Sequence, residues 1–229
     1  MFPESKTSQI MSKISKRPIP CPSCGHTGEF TLWESVNVDL NPDMREKVLR
    51  GELFRWTCPN CGETFTVPYG TLYHDMKRKF MVYYLPNRPK NGEGLKFRGP
   101  NGPYRMDEEY RHRCTYDIHD FQEKIQQLES GLNDCAIEVL KHIALYKRMP
   151  EGLPEDTEFR FGGVMPEKGD NRFLIFHCVS PSLDESKIVT LPFSSYEDLA
   201  KDSMIEKIFE QDADFPEVSQ AFLNRILKQ

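Results

Sequence analysis

Two copies of one short motif constrain this chain more than any other feature. Cys21-Pro22-Ser23-Cys24-Gly25 and Cys58-Pro59-Asn60-Cys61-Gly62 share the form Cys-Pro-X-Cys-Gly. Two thiolates two residues apart fit on one tight turn and point the same way. One such turn supplies half of a tetrahedral shell, and a second supplies the rest. Proline presets φ for the turn. The glycine permits positive φ and lets backbone amides approach the thiolates. The pattern predicts one site with Cys21, Cys24, Cys58 and Cys61 as ligands, holding one structural Zn2+ per chain. The competing readings are two disulfides or four free thiols. A disulfide within such a turn is a redox motif, which usually occurs once and beside a βαβ pattern. His26 follows the first turn and could replace a cysteine; with four thiols at hand, an ordinary turn residue is the simpler reading.

Between Cys24 and Cys58 lie 33 residues, more than the roughly 15–20 of a compact site. The gap must therefore hold structure of its own. Phe30, Leu32, Val36 and Val38 alternate with Thr31, Trp33, Ser35 and Asn37, as in a half-buried strand. Asn41-Pro42-Asp43 opens a short helix, with Met44, Val48 and Leu49 at helical spacing and Gly51 at its end. Residues 54–57 read as a strand into the second turn, and 64–69 as a strand out of it. Trp33 and Trp56 are expected to pack around the metal core.

The doubled motif, the long insert, and the run Tyr73-His74-Asp75 … Phe80-Met81-Val82-Tyr83-Tyr84-Leu85 resemble the CpXC domain of bacteria and archaea. The resemblance covers about residues 18 to 148. It implies zinc, a prokaryotic source and a domain boundary. The family has no assigned activity, so no catalytic residue follows from it.

Charge divides the chain. The net is +4 over residues 1–90, −1 over 91–150 and −8 over 151–229. A non-specific nucleic-acid binder needs several cations tracking phosphates, which the acidic C-terminal part does not offer. No apolar run approaches 18 residues, so no membrane helix is expected. The start of the chain has no hydrophobic signal region, and seven cysteines without one point to a reducing cytoplasm. Residues 1–17, with Lys6, Lys13, Lys16 and Arg17, read as a flexible lead-in; Met11 is an alternative start.

Further along, 79–85 reads as a strand. Lys77-Arg78-Lys79 beside Tyr83 and Tyr84 is the best candidate for a phosphate contact, although a solvated hairpin loop is the commoner use of such a run. His74-Asp75 suggests an oriented imidazole, but neighbours on a strand face apart. Four prolines and four glycines in 86–105 mark an irregular loop, in which Gly92-Glu93-Gly94 lacks the third glycine of a dinucleotide fingerprint. Arg105, Arg111 and Arg113 around Asp107-Glu108-Glu109 suggest a local ion-pair network. His112, Cys114 and His119 are too loosely spaced for a second metal. Asp120 with Glu123 resembles a capping box opening a helix with Phe121, Ile125, Leu128 and Leu132 inward. Gly131 ends it. Asn133 caps the next, which buries Ile137, Leu140, Ala144 and Cys135.

Residues 150–156 are the expected domain junction. Strands follow at 158–161, 171–179 and 187–193, with Cys178 a buried thiol facing away from His177. Ser194 with Glu197 opens a helix reaching Glu210, and Pro216 fits the first turn of a last helix. The fold expected is α+β: a zinc-ribbon β-sheet with a strand–helix insert and two helices (18–149), then a small C-terminal α+β unit (157–229). The expected role is a cytoplasmic protein-binding or adaptor module with no membrane contact. The alternative is a nucleic-acid binder. An enzyme with its site between the two units, using His74, His112, His119 or His177, is less favoured because no nucleophile or open metal accompanies them.

Overall fold

The computed structural model describes residues 11–89, 94–99, 102–103, 108–147, 152–166, 172–185 and 187–227. Gly92-Glu93, Arg105 and Asp107 lie outside them.

Strand β1 (Lys13–Pro20) pairs antiparallel with β2 (Thr27–Asn37), from Lys13↔Ser35 to Pro20↔Thr27. Residues 13–17, expected as part of the lead-in, are therefore strand. β1 is an edge strand with most side chains exposed, so it needs little apolar content; Ile19 alone of its residues packs on the core. Lys13–Glu34 and Lys16–Glu29 ion pairs run across the hairpin. After β2 come α1 (Met44–Leu49), which buries Met44 and Val48, and the short hairpin β3 (Arg55–Thr57) and β4 (Thr64–Thr66). Gly51, at φ 68°, makes the left-handed turn between α1 and β3.

β5 (Thr71–Asp75), β6 (Phe80–Tyr84) and β9 (Arg111–Thr115) complete a five-stranded sheet of order β1-β2-β5-β6-β9, parallel at β2/β5 and β6/β9. Between β6 and β9, β7 (Arg98–Gly99) and β8 (Gly102–Pro103) form a two-residue ladder.

Helix α2 (Ile118–Glu129) covers the sheet with Phe121, Ile125 and Leu128. Its cap is Asp117, which accepts from the His119 and Asp120 backbone N–H groups. The expected box at Asp120 and Glu123 does not form, because those carboxylates turn to Arg160 and Lys141. Gly131 ends the helix at φ 70°. Asn133 caps α3 (Asp134–Tyr146), accepting from Cys135 and Ala136.

The C-terminal sheet is β10 (Glu158–Pro166), β11 (Arg172–Val179) and β12 (Lys187–Pro192), antiparallel in that order. The helix expected from Ser194 to Glu210 is two helices, α4 (Phe193–Ala200) and α5 (Met204–Ile208). The Asp202 carboxylate accepts from Met204 N–H, making a turn that directs Ile205 into the core. Pro216 does not open α6 (Gln220–Ile226), which is capped by Ser219. Instead residues 215–217 are extended and join the first sheet. Phe215 pairs with Leu95, and Cys114 N–H donates to the Pro216 carbonyl at 3.1 Å.

Two large apolar cores result, with a small third cluster where Phe215 meets Met81 and Cys114. The first holds the sheet, α1 and α2. The second holds β10–β12 and α4–α6, and α3 belongs to it through Ile137, Leu140 and Ala144. The division between the two large cores falls between α2 and α3. The seam between the two helices is charged. Glu123, Lys124 and Gln127 meet Asp134, Glu138 and Lys141, all buried. Lys124 pairs with Asp134 at 3.2 Å, and Lys141 with Glu123 at 2.7 Å and Glu138 at 3.2 Å. Arg113 forks onto Asp134 at 2.7 and 3.0 Å. Charges buried this deeply persist only when paired.

Candidate metal centre

The two Cys-Pro-X-Cys-Gly turns are built alike. The first joins β1 to β2 and the second joins β3 to β4. In the first, Cys21 N–H donates to His26 O at 2.8 Å and Gly25 N–H to Cys21 O at 2.9 Å. In the second, Cys58 N–H donates to Glu63 O at 2.8 Å and Gly62 N–H to Cys58 O at 2.9 Å. Gly25 and Gly62 close the turns at φ 71° and 77°, a conformation that a side chain resists.

Folding brings the turns face to face. Cys21 Sγ lies 3.6 Å from Cys61 Sγ, Cys24 Sγ lies 3.7 Å from Cys58 Sγ, and all four sulfurs fall within 4.8 Å of one another. A disulfide needs about 2.05 Å, so these two cross-turn pairs are too far apart for one, and all four cysteines are free thiols. Cys21 and Cys58 are buried against the core, while Cys24 and Cys61 are exposed. The backbone N–H of His26 and then the Asn60 amide lower the Cys24 thiol to about 6. At Cys61 the Glu63 N–H pulls the same way, but desolvation and the three neighbouring sulfurs win and push it up to about 12. Four crowded sulfurs resist carrying four negative charges by themselves; a cation among them removes that conflict.

The second turn is seated by Trp56, which is buried, stacks on Phe65, and donates its indole N–H to Glu29 O at 3.1 Å. A Cβ at Gly28 would come 2.6 Å from Trp56 Cζ2 and 3.3 Å from Pro59 Cδ. Gly28 thus lets β2 approach the second turn and sets the distance between the two halves. His26 stands outside the sulfur cluster.

A family model described as CpXC protein matches residues 19–141, just over half of the 229. The chain belongs to the CpXC family. The match takes in both cysteine turns of this CpXC protein, the first sheet from the end of β1 onward, and α2, and ends within α3 at Lys141. No curated protein and no solved structure matches the chain.

The other residues singled out in the CpXC sequence do not assemble into a site. Lys77 pairs with Asp39 at 3.2 Å, Arg78 with Asp75 at 2.6 Å, and Lys79 with Glu109. Glu109 therefore serves the β5–β6 turn, while Arg111 and Arg113 turn to Asp134. His74 is buried against Asn37 and the Tyr110 ring, and Asp75 is turned to Arg78. His112 and Cys114 are buried on β9, and His119 is exposed on α2. Cys178 is buried, and His177 on the opposite face is exposed. Among the described residues, only the four cysteines bring three or more metal-ligand atoms together.

Sequence reading missed the charged seam. Its signal was present in the polar residues Glu123, Lys124 and Gln127, spaced three and four apart on a helix, and in Asp134, Glu138 and Lys141 with the same spacing.

Proposed function

We propose that the four cysteines hold one structural Zn2+ and that this domain serves a cytoplasmic protein-binding or adaptor role. The sulfur separations carry the zinc assignment. Four ligands about 2.3 Å from a tetrahedral zinc stand about 3.8 Å apart, close to the 3.6 and 3.7 Å found here. Four thiolates close the shell and leave no position for a reacting water, which supports a structural rather than a catalytic ion.

A protein partner is favoured over a nucleic acid because Lys77, Arg78 and Lys79 are each matched by a carboxylate. The exposed Val179 and Ile188 on the outer face of the C-terminal sheet also support a protein contact. No helix among the described residues is long and apolar enough to cross a membrane.

Metal content of protein purified without added zinc tests the first part. About one zinc per chain is expected, lost together with the fold of the β1–β4 region in Cys58→Ser. Metal-free protein with the same fold would overturn the assignment. A salt-steep affinity for single-stranded RNA would overturn the protein-partner reading.

A further inference from the structure

A second site lies beside the charged seam, where the start of α2, the end of α3, β10 and α6 leave a cleft of about 610 Å³. That size suits a small organic molecule or a long side chain. Leu145, Leu153 and Phe159 supply an apolar wall. The two cations at the cleft are already committed. Lys141 is held by Glu123 and Glu138, and Arg160 by Asp120, Glu123 and Glu158. They have little left to offer an anion.

What remains is accepting capacity: Asp117, Asp120 and Glu158 line the cleft, and the bonds from the α2 N–H groups and from Arg160 engage one carboxylate oxygen of each. Thr157 lines it too; it is 6% exposed, and its Oγ1 is buried with no hydrogen-bond partner among the described residues. Buried hydroxyls are nearly always paired, so this one is a place for a hydrogen bond from outside the chain. The carboxylates do not converge as metal ligands do.

We propose that this cleft binds an organic cation, an alkylammonium or guanidinium group, with its charge against Asp120 and Thr157 and its stem on Leu145, Leu153 and Phe159. Burial pushes the Asp120 carboxyl up to about 6 against the pull of Arg160, so its anion gains from a second positive charge. The cation has two sources: a free amine, or an arginine or lysine side chain of a partner protein. The site stands apart from the four cysteines, and its test does not depend on which metal they hold.

The test is calorimetric titration of the full chain with agmatine, spermidine and N-acetyl-arginine amide. Saturable one-to-one binding is expected for at least one of them, weakened about tenfold in Asp120→Asn by loss of a charge-assisted contact. Because Asp120 also holds Arg160, Thr157→Val is the second variant. It removes the hydroxyl, keeps the shape, and should weaken binding about threefold. Tighter binding of the free amines assigns a small-molecule site, and tighter binding of the arginine amide assigns a partner's basic side chain. Absence of saturable binding by all three up to about 10 mM, or binding that both variants leave unchanged, overturns the proposal.

Discussion

Glu138 is the acceptor at the centre of the seam, and replacing it with glutamine measures what the seam contributes. Its carboxylate is 3% exposed and receives Lys141 at 3.2 Å, Lys124 at 3.4 Å and the amides of Gln127 and Gln220 at 3.0 and 2.9 Å. Burial alone would raise its pKa. Lys141 and then Lys124 reverse that and bring it from 4.5 to about 2. The gap corresponds to about 3 kcal/mol favouring the ionised folded state. Because the folded value is the lower one, this contribution is fully present above pH about 4.5 and is lost as pH falls toward about 2. Glu138→Gln keeps the shape and removes the charge. Lys141 retains Glu123 and Lys124 retains Asp134, so the variant should still fold. Urea unfolding at a series of pH values should show wild type more stable by about 3 kcal/mol at pH 7, with the difference shrinking between pH about 4.5 and about 3. A difference under about 0.5 kcal/mol at pH 7, or one that does not narrow on acidification, refutes the reasoning.

Three further variants probe other parts of the argument. Gly28→Ala pushes a methyl group into Trp56 and should cost about 1–3 kcal/mol, lowering both the melting temperature and metal retention; an alanine variant as stable as wild type would show that the hairpin is not so tightly seated. Asp117→Ala removes the α2 cap and should cost about 1 kcal/mol, seen as faster hydrogen exchange in the first turn, and unchanged exchange would argue for another cap. Arg88→Ala breaks the double contact to Glu217 and should speed proteolytic cleavage around residues 215–217, which wild-type rates would contradict.

The four-cysteine cluster was legible in the sequence because its geometry is local: each turn is written in five consecutive residues, and only their meeting is long-range. The strand–helix insert was legible for the same reason, since alternation from Phe30 and the Gly51 stop are short-range signals. β1 was not, because an edge strand with one partner carries no apolar alternation to read. The cap of α2 was misplaced because Asp120 and Glu123 have the spacing of a capping box but are claimed by Arg160 and Lys141, residues 40 and 18 positions away. Pro216 looked like a helix opener; its carbonyl instead serves β9, about a hundred residues earlier. Which core owns α3 is likewise a matter of tertiary packing, since both helices carry apolar stripes and the seam separating them is polar.

The strand borrowed from residues 215–217 sets an order of assembly. Everything needed to close and pair the cysteine turns has been synthesised by Thr66, and the Cys21–Cys61 contact spans 40 positions. The far edge of the same sheet, at β9, waits for a segment made about a hundred residues later. During synthesis the domain therefore passes through an interval in which its metal end is formed and its opposite edge has free backbone groups, the condition in which sheets recruit the wrong neighbour. The acidic segment that finally arrives, with Asp212, Asp214 and Glu217, docks through Lys96, Phe97 and Arg88, so charge attraction, which acts before contact, speeds the closing of that interval.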